Sequence, residues 1–215
     1  MLTRTINFAQ RTSATAFKRF LTSYRVWNPS EHAPRIVPTP LVFVSATSWD
    51  KSTKGLSYFC ELYATKGYTC LDVDLPVPPG ATSSSTRLME TFESGLGDVV
   101  RSSFIPFPPV FIARGLACLI TQTYISSHPA SGLVLLSPPP NNAAVSQKLL
   151  PSALQEFNFE PKFPICIVST PKEMEILRSQ NRLAQDSNVD NIIVQNVEGH
   201  ESCTKIEQWL DEIGI

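Results

Sequence analysis

The five cysteines are the first side chains of this sequence to consider for chemistry. They are widely spaced, their number is odd, and none forms a C-x-x-C pair; they are Cys60, Cys70, Cys118, Cys166 and Cys203. This pattern favours free, buried thiols over a disulfide framework or a zinc site. A cysteine nucleophile needs a depressed pKa and a partner base. Free cysteines are usually small buried side chains, and we expect Cys118 to be one of these.

Polar residues that directly follow apolar runs form the second set of candidates. Ser45 follows the run at 40–44, Arg114 follows 109–113, and Ser137 follows 132–136. Short apolar runs of this kind predict buried strands. Ligands of parallel sheets bind at the carboxyl ends of the strands. Ser45 and Arg114 are therefore candidate binding residues. Arg114 is a candidate for binding an anion, and the alternative is that it simply lies at the surface.

Strands and helices alternate along residues 38–215. The apolar runs predict six strands, and segments with helical spacing lie at 55–66, 87–100, 117–126, 174–184 and 203–213. Unbroken apolar strands predict an α/β fold with a mainly parallel sheet and helices on both faces. Residues 141–160 are expected to be partly helical, as an insertion or cap. No G-x-G-x-x-G follows the first strand, so we expect no dinucleotide fold and no cofactor.

Several segments in this order resemble the α/β-hydrolase family. Residues 109–118 resemble its strand, nucleophile elbow and helix, and 132–138 resemble its next strand. Residues 72–76 with 80–83 resemble the loop after an earlier strand, and 197–200 resemble the catalytic histidine loop. The resemblance covers nearly all of residues 38–215 and implies an α/β-hydrolase-like domain.

Gly115 stands where that family has its nucleophile. The family pattern is G-x-S-x-G, and the small residues Ala113 and Ala117 flank Gly115 here. Glycine has no side chain to attack a carbonyl. It also removes the cost of a positive φ, about 1–3 kcal/mol for other residues. The elbow is therefore expected to lack both the nucleophile and the strain.

The resemblance assigns the other triad positions as well. His200 matches the family's histidine and Glu173 its acid, while Ser45-Ala46 stands where the family's oxyanion loop usually carries His-Gly. A polar loop residue is the alternative for His200. For Glu173 the alternative is a solvated residue in the first turn of a helix, where it suits the helix dipole. The resemblance thus gives three vestigial triad positions: Gly115, Glu173 and His200. Separately, we expect no metal site in this chain.

The first thirty residues have the composition of a mitochondrial transit peptide. Five of the 18 Lys and Arg lie there, with many Ser and Thr, apolar residues that can share one helix face, and no Asp or Glu. We predict a transit peptide at 1–30, a linker at 31–37, a domain at 38–215, and a matrix location. The alternative is a basic N-terminal arm on a cytosolic protein.

Composition narrows the function classes. The formal net charge is −1 and no basic stripe is present, which argues against nucleic acid as a partner. The apolar runs are far shorter than the roughly 20 residues of a membrane span. We expect a non-catalytic mitochondrial protein that binds a protein partner or a small acyl ligand. The alternative is a small esterase or thioesterase with a non-standard nucleophile.

Overall fold

The computed structural model describes residues 23–78 and 84–215, which form one sheet flanked by helices. The sheet has seven strands in the order β1-β3-β2-β4-β5-β6-β7. The strands are β1 (Ser23–Trp27), β2 (Val37–Ser45), β3 (Tyr68–Asp74), β4 (Val110–Arg114), β5 (Gly132–Leu136), β6 (Ile165–Ser169) and β7 (Val189–Ile193). The helices are α1 (Ser57–Thr65), α2 (Ser85–Ser102), α3 (Ala117–Ile125), α4 (Pro171–Gln180) and α5 (His200–Glu212).

All neighbouring strands from β3 to β7 pair in parallel, and only β1 is antiparallel. The predicted α/β fold with a mainly parallel sheet is therefore confirmed. The chain leaves β2 toward β3 and then returns to place β4 on the other side of β2. A crevice is expected where the order reverses in this way, at the carboxyl ends of the strands.

Helices cover both faces of the sheet because successive strand residues point in opposite directions and both sets are apolar. Val42 and Val44 face one core, with α2, α3 and α4, while Leu41 and Phe43 face the other, with α1 and α5. All four of these strand side chains are fully buried. In the described ranges, none of the helices is long and apolar enough to cross a membrane.

The sheet begins earlier than the predicted domain boundary at residue 38. β1 is the edge strand and pairs with β3, Arg25 opposite Asp72, and the guanidinium of Arg25 lies 3.8 Å over the centre of the Trp27 ring. This edge strand mixes charged and aromatic residues, so it lacks the apolar run that marks the inner strands. The predicted transit peptide falls mostly on residues 1–22, outside the described residues, as does the 80–83 motif.

The sequence predicts that the segment at 141–160 is partly helical, but the structure shows no α-helix there. Its only regular element is the 3₁₀ turn Asn142–Ala144. Pro138, Pro139 and Pro140 precede it, and proline favours extended or turn backbone over helix. Phe157 and Phe159 are partly buried against the α2–α4 core, so the segment covers that side of the domain in an irregular conformation.

Candidate functional site

The turn between β4 and α3 has the geometry that the sequence predicts. Strand β4 ends at Arg114, helix α3 begins at Ala117, and Gly115 between them has a φ of +57°. The Gly115 N–H donates to the carbonyl of Leu136 at 2.9 Å, which ties the turn to the end of β5. Only glycine adopts this left-handed conformation without cost.

The space beside Gly115 is filled by Ser52 of the loop between β2 and α1. A Cβ placed on Gly115 would lie 3.0 Å from Ser52 Cβ and 3.3 Å from the Ser52 carbonyl oxygen, and closer still to Ser52 Oγ. Real Cβ atoms rarely make such short contacts. The Ser52 hydroxyl donates to the carboxylate of Asp50, two residues earlier. A hydroxyl is thus present next to the elbow, although it comes from a different loop.

A hollow of about 300 Å³ opens at this turn. It combines a guanidinium, a carboxylate, two hydroxyls and a partly apolar wall; the lining residues are Ser52, Arg114, Gly115, Leu116, Ser137, Pro139, Glu173 and Val197. The volume is at the lower end of the range for small-molecule sites. The structure thus brings three of the predicted residues together here: Gly115, Glu173 and Arg114.

Arg114 joins three loops at the carboxyl edge of the sheet. Its Nη1 donates to the carbonyl of Lys54 at 2.7 Å, and its Nη2 forms an ion pair with Glu198, which lies between β7 and α5. The Arg114 side chain is 19% exposed, whereas that of Glu198 is 52% exposed. Arg114 is therefore mostly buried within the rim of the hollow and is held by one neutral and one charged acceptor.

Ser137 and Glu173 form a second hydroxyl–carboxylate pair in the hollow. Ser137 follows β5 with a φ of +44°, and its Oγ donates to Glu173 Oε2 at 2.9 Å. The same carboxylate oxygen accepts from the backbone N–H and the hydroxyl of Thr170, while Glu173 N–H donates to Thr170 Oγ1. These bonds form a capping box, so Glu173 stabilises the first turn of α4.

His200 does not line the hollow. It is the first residue of α5, and its side chain is exposed. Within the part of the chain that the structure describes, its imidazole makes no hydrogen bond or ion pair, and Glu173 bonds to Thr170 and Ser137 instead. Among the described residues, no carboxylate fixes the tautomer or orientation of this ring, as a general base requires.

Ser45 lies at a second hollow, of about 440 Å³, between β1, β3 and the start of α1. Its hydroxyl donates to the carbonyl of Val73 at 3.0 Å, and only 7% of the residue is exposed. The N–H of Ala46 donates to Thr53 Oγ1 at 3.1 Å. The first backbone donor after β2 is therefore already bonded inside the loop and is not directed at the hollow beside Gly115.

Cys118 packs beneath both turns of the site. Its Sγ lies 3.4 Å from the carbonyl oxygen of Ala113 and 3.9 Å from that of Leu136. Burial raises the pKa of this thiol well above its ordinary value, so the reactive thiolate is disfavoured. The other four cysteines are also buried and free.

Two residues of the site were missed by the sequence analysis. Ser52 lies in a polar loop without any pattern that distinguishes its hydroxyl from its neighbours. Glu198 was noted only as part of the segment before His200. Glycine at 115 is the one signal that could have pointed to Ser52, because a missing side chain leaves space that another group fills.

Comparisons with known proteins give a match in structure alone. No family model matches this chain, and no curated protein matches its sequence. An α/β-hydrolase enzyme from the metagenome of sediments of the Mar Chica lagoon, Morocco, is 14% identical with a TM-score of 0.60, and the match covers 92% of this chain and 98% of that one.

Two further neighbours agree with this match. An esterase from Thermogutta terrifontis, solved with propionate bound, is 11% identical with a TM-score of 0.59, and the match covers 90% of each chain. A soluble variant of monoglyceride lipase from Saccharomyces cerevisiae, solved with a substrate analogue, is 11% identical with a TM-score of 0.58. That match covers 89% of this chain and 92% of the lipase. At such low identity these matches establish the fold, and a shared fold does not establish a shared activity.

Proposed function

We propose that this chain, which has the α/β-hydrolase fold, is catalytically silent and acts by binding a small acyl ligand or a protein partner. The observation that carries the proposal is the packing of Ser52 against Gly115, because a Cβ at that position would require Ser52 to shift. Gly115 supplies no nucleophile, and a serine placed there would have to displace the Ser52 side chain.

The other requirements of acyl transfer also argue for a silent site. A serine hydrolase needs a base that is oriented by a third group and backbone donors directed at the oxyanion. His200 is exposed and unoriented within the described chain, and the Ala46 N–H is bonded to Thr53. Without a triad, only a small residual rate from binding and oxyanion donors would be expected.

A small acyl ligand fits what the hollow offers. Arg114 supplies a positive charge at the rim, and Leu116, Pro139 and Val197 supply apolar surface. The esterase neighbour from Thermogutta terrifontis was solved with propionate, a short carboxylate. These features support a ligand with a short apolar body and an anionic end.

The second candidate is an esterase that uses the hydroxyl of Ser52. Ser52 Oγ lies beside the elbow and donates to the Asp50 carboxylate, which would act as its base. The esterases and lipases among the structural neighbours favour this chemistry. A carboxylate is a weaker base than histidine at neutral pH, which counts against efficient turnover.

Labelling of the full chain with a fluorophosphonate probe, together with turnover of short-chain esters, separates the two candidates. A silent protein gives neither labelling nor turnover. Labelling that maps to Ser52 and is lost in Ser52→Ala but kept in Ser137→Ala would establish the esterase instead. Loss of wild-type turnover in His200→Ala would also overturn the silent assignment.

We also propose a mitochondrial location. The support is the acid-free, Arg-rich composition before residue 31. Because β1 begins at Ser23 and pairs with β3, removal of the transit peptide is expected before residue 23, so that the edge strand is kept. The test fuses residues 1–22 to a fluorescent protein, with a control in which Arg4, Arg11, Lys18 and Arg19 are changed to Gln. Cytosolic fluorescence from the unchanged segment would contradict the proposal.

A further inference from the structure

We propose that Arg114 and Glu198 form an exchangeable latch over the hollow beside Gly115, and that the carboxylate of a short-chain monocarboxylic acid binds Arg114 by displacing Glu198. This inference rests on the proposed ligand-binding function and assigns the ligand's charged end and its regulation. The latch consists of one ion pair, between Arg114 Nη2 and a carboxylate oxygen of Glu198.

The two partners of the latch are held very differently. Arg114 is mostly buried, and its Nη1 keeps a 2.7 Å bond to the Lys54 carbonyl that does not depend on Glu198. Gly55 packs close to the guanidinium, since a Cβ there would lie 3.4 Å from Nη1. The guanidinium therefore stays in place when Glu198 leaves, and its free donors match a carboxylate.

Glu198 can leave without any movement of its loop. Its side chain is half exposed, and Arg114 is its only ion-pair partner among the described residues. The backbone around it is fixed independently: Val197 is buried, Glu198 N–H donates to Asn196 Oδ1, and Ser202 Oγ donates to the carbonyl of Asn196. A rotation of one surface side chain is enough to free Arg114, and such ion pairs contribute little to stability.

The lining of the hollow selects the ligand class. Leu116, Pro139 and Val197 line the same hollow as Arg114 and offer an apolar wall, and a hollow of about 300 Å³ accommodates a short acyl chain. Glu173, which lines the same hollow, carries a negative charge that is not neutralised by a cation among the described residues. A dicarboxylate or a phosphate would face this charge, so a monocarboxylate is favoured.

Calorimetric titration of the full-length protein with butyrate, and with uncharged butyramide, tests the latch. Removing the competing carboxylate in Glu198→Gln should tighten butyrate binding about two- to fivefold, the range set by an ion pair with one half-exposed partner. Arg114→Gln should abolish it. Butyramide should bind wild type and Glu198→Gln equally, because it does not compete for the guanidinium.

Glu201→Gln is the matched control for Glu198→Gln. Glu201 lies three residues later, pairs with Lys205 and does not line the hollow, so its loss should leave butyrate binding unchanged. If Arg114→Gln does not fold, Arg114→Lys is used instead. Lysine keeps the positive charge but lacks the planar guanidinium that pairs with both carboxylate oxygens, so this variant should bind butyrate several-fold more weakly. Equal butyrate affinity in wild type and Glu198→Gln, or no saturable binding by Glu198→Gln, overturns the latch.

Failure of the latch and failure of the proposed function give different results. A catalytic protein is recognised by ester turnover or fluorophosphonate labelling, whatever its affinity for butyrate. A silent protein whose Glu198→Gln variant does not gain affinity contradicts the latch alone.

Discussion

Two neighbouring turns at the carboxyl edge of the sheet share one backbone conformation but differ in their side chains. Gly115 follows β4 with a φ of +57°, and Ser137 follows β5 with a φ of +44°. The first position has no side chain, whereas the second has a hydroxyl that donates to Glu173. Both turns line the same hollow.

The difference shows that space decides the residue at 115 more than conformation does. A left-handed φ is tolerated by a serine at 137, where the side chain has room and an acceptor. At 115 the same conformation is combined with the close approach of Ser52, so a side chain would meet both strain and overlap. Position 115 therefore combines a glycine with close packing of the loop between β2 and α1.

Gly115→Ser is expected to have the largest effect. The left-handed φ costs a non-glycine residue about 1–3 kcal/mol, and overpacking against Ser52 adds about 1–3 kcal/mol. We expect the free energy of unfolding in urea to fall by about 2–6 kcal/mol, with no gain of ester turnover. An unchanged midpoint would show that position 115 is neither strained nor crowded.

The double variant Gly115→Ser with Ser52→Gly separates the two causes. Relief of the overlap should restore about 1–2 kcal/mol and leave the cost of the left-handed φ. Additive losses in the double variant would mean that Ser52 does not fill the space beside residue 115.

The sequence predicted the sheet well because its inner strands are unbroken apolar runs. β4 and β5 were placed correctly since only a buried strand explains residues such as 110–113 and 133–136. β1 was missed because an edge strand needs no such run. The segment at 141–160 lacks the predicted partial helix because Pro138, Pro139 and Pro140 directly before it and Pro151 within it favour extended or turn backbone.

The candidate site was less predictable than the fold because it depends on contacts between loops. Arg114 could be named from its position after a strand, and Gly115 and Glu173 from the resemblance to the α/β-hydrolase family; the structure places all three at one hollow. Their partners could not be named: Ser52 and Glu198 lie 63 and 84 residues away from Gly115 and Arg114 in the sequence, in loops without a motif. Only the folded arrangement shows which hydroxyl or carboxylate reaches each of them.

The next largest effect is expected for Cys118, whose thiol lies beneath the two turns. It is an effect on how the free energy of unfolding changes with pH. Burial raises the pKa of Cys118 in the folded state above the ordinary value of 9.0 for a cysteine thiol. Its contribution to stability is therefore complete below pH 9 and is lost as the pH rises, because only the unfolded chain releases the proton. Above this pH, wild type should lose up to about 1.4 kcal/mol more per pH unit than Cys118→Ala.

Urea unfolding of both proteins between pH 7 and pH 10 measures this difference. The other four buried thiols are common to both proteins and cancel in the comparison. Equal slopes for wild type and Cys118→Ala would mean that this thiol is accessible to solvent beneath the turns.

Ser137→Ala is expected to have a smaller effect than any side chain added at 115. The substitution keeps a Cβ in the same left-handed conformation and removes only the 2.9 Å bond to Glu173. We expect a loss of about 1 kcal/mol or less in the free energy of unfolding. Gly115→Ala is the matched change at the other turn, and it should cost clearly more. If the two alanine variants are equally stable, crowding by Ser52 does not distinguish the turns.

Glu173→Gln should have the smallest effect, and its salt dependence tests the role of this carboxylate. Glutamine keeps an oxygen that accepts from Thr170 and Ser137, and it is compatible with a capping box. The substitution removes only the favourable charge at the start of α4, which is worth about 0.3–1 kcal/mol at low salt. Urea unfolding at low and high salt should show this loss shrinking as salt screens the charge. A loss that is much larger and independent of salt would mean that Ser137 and Thr170 need the carboxylate itself, and the turn after β5 would then be held by a stronger contact than its exposed position suggests.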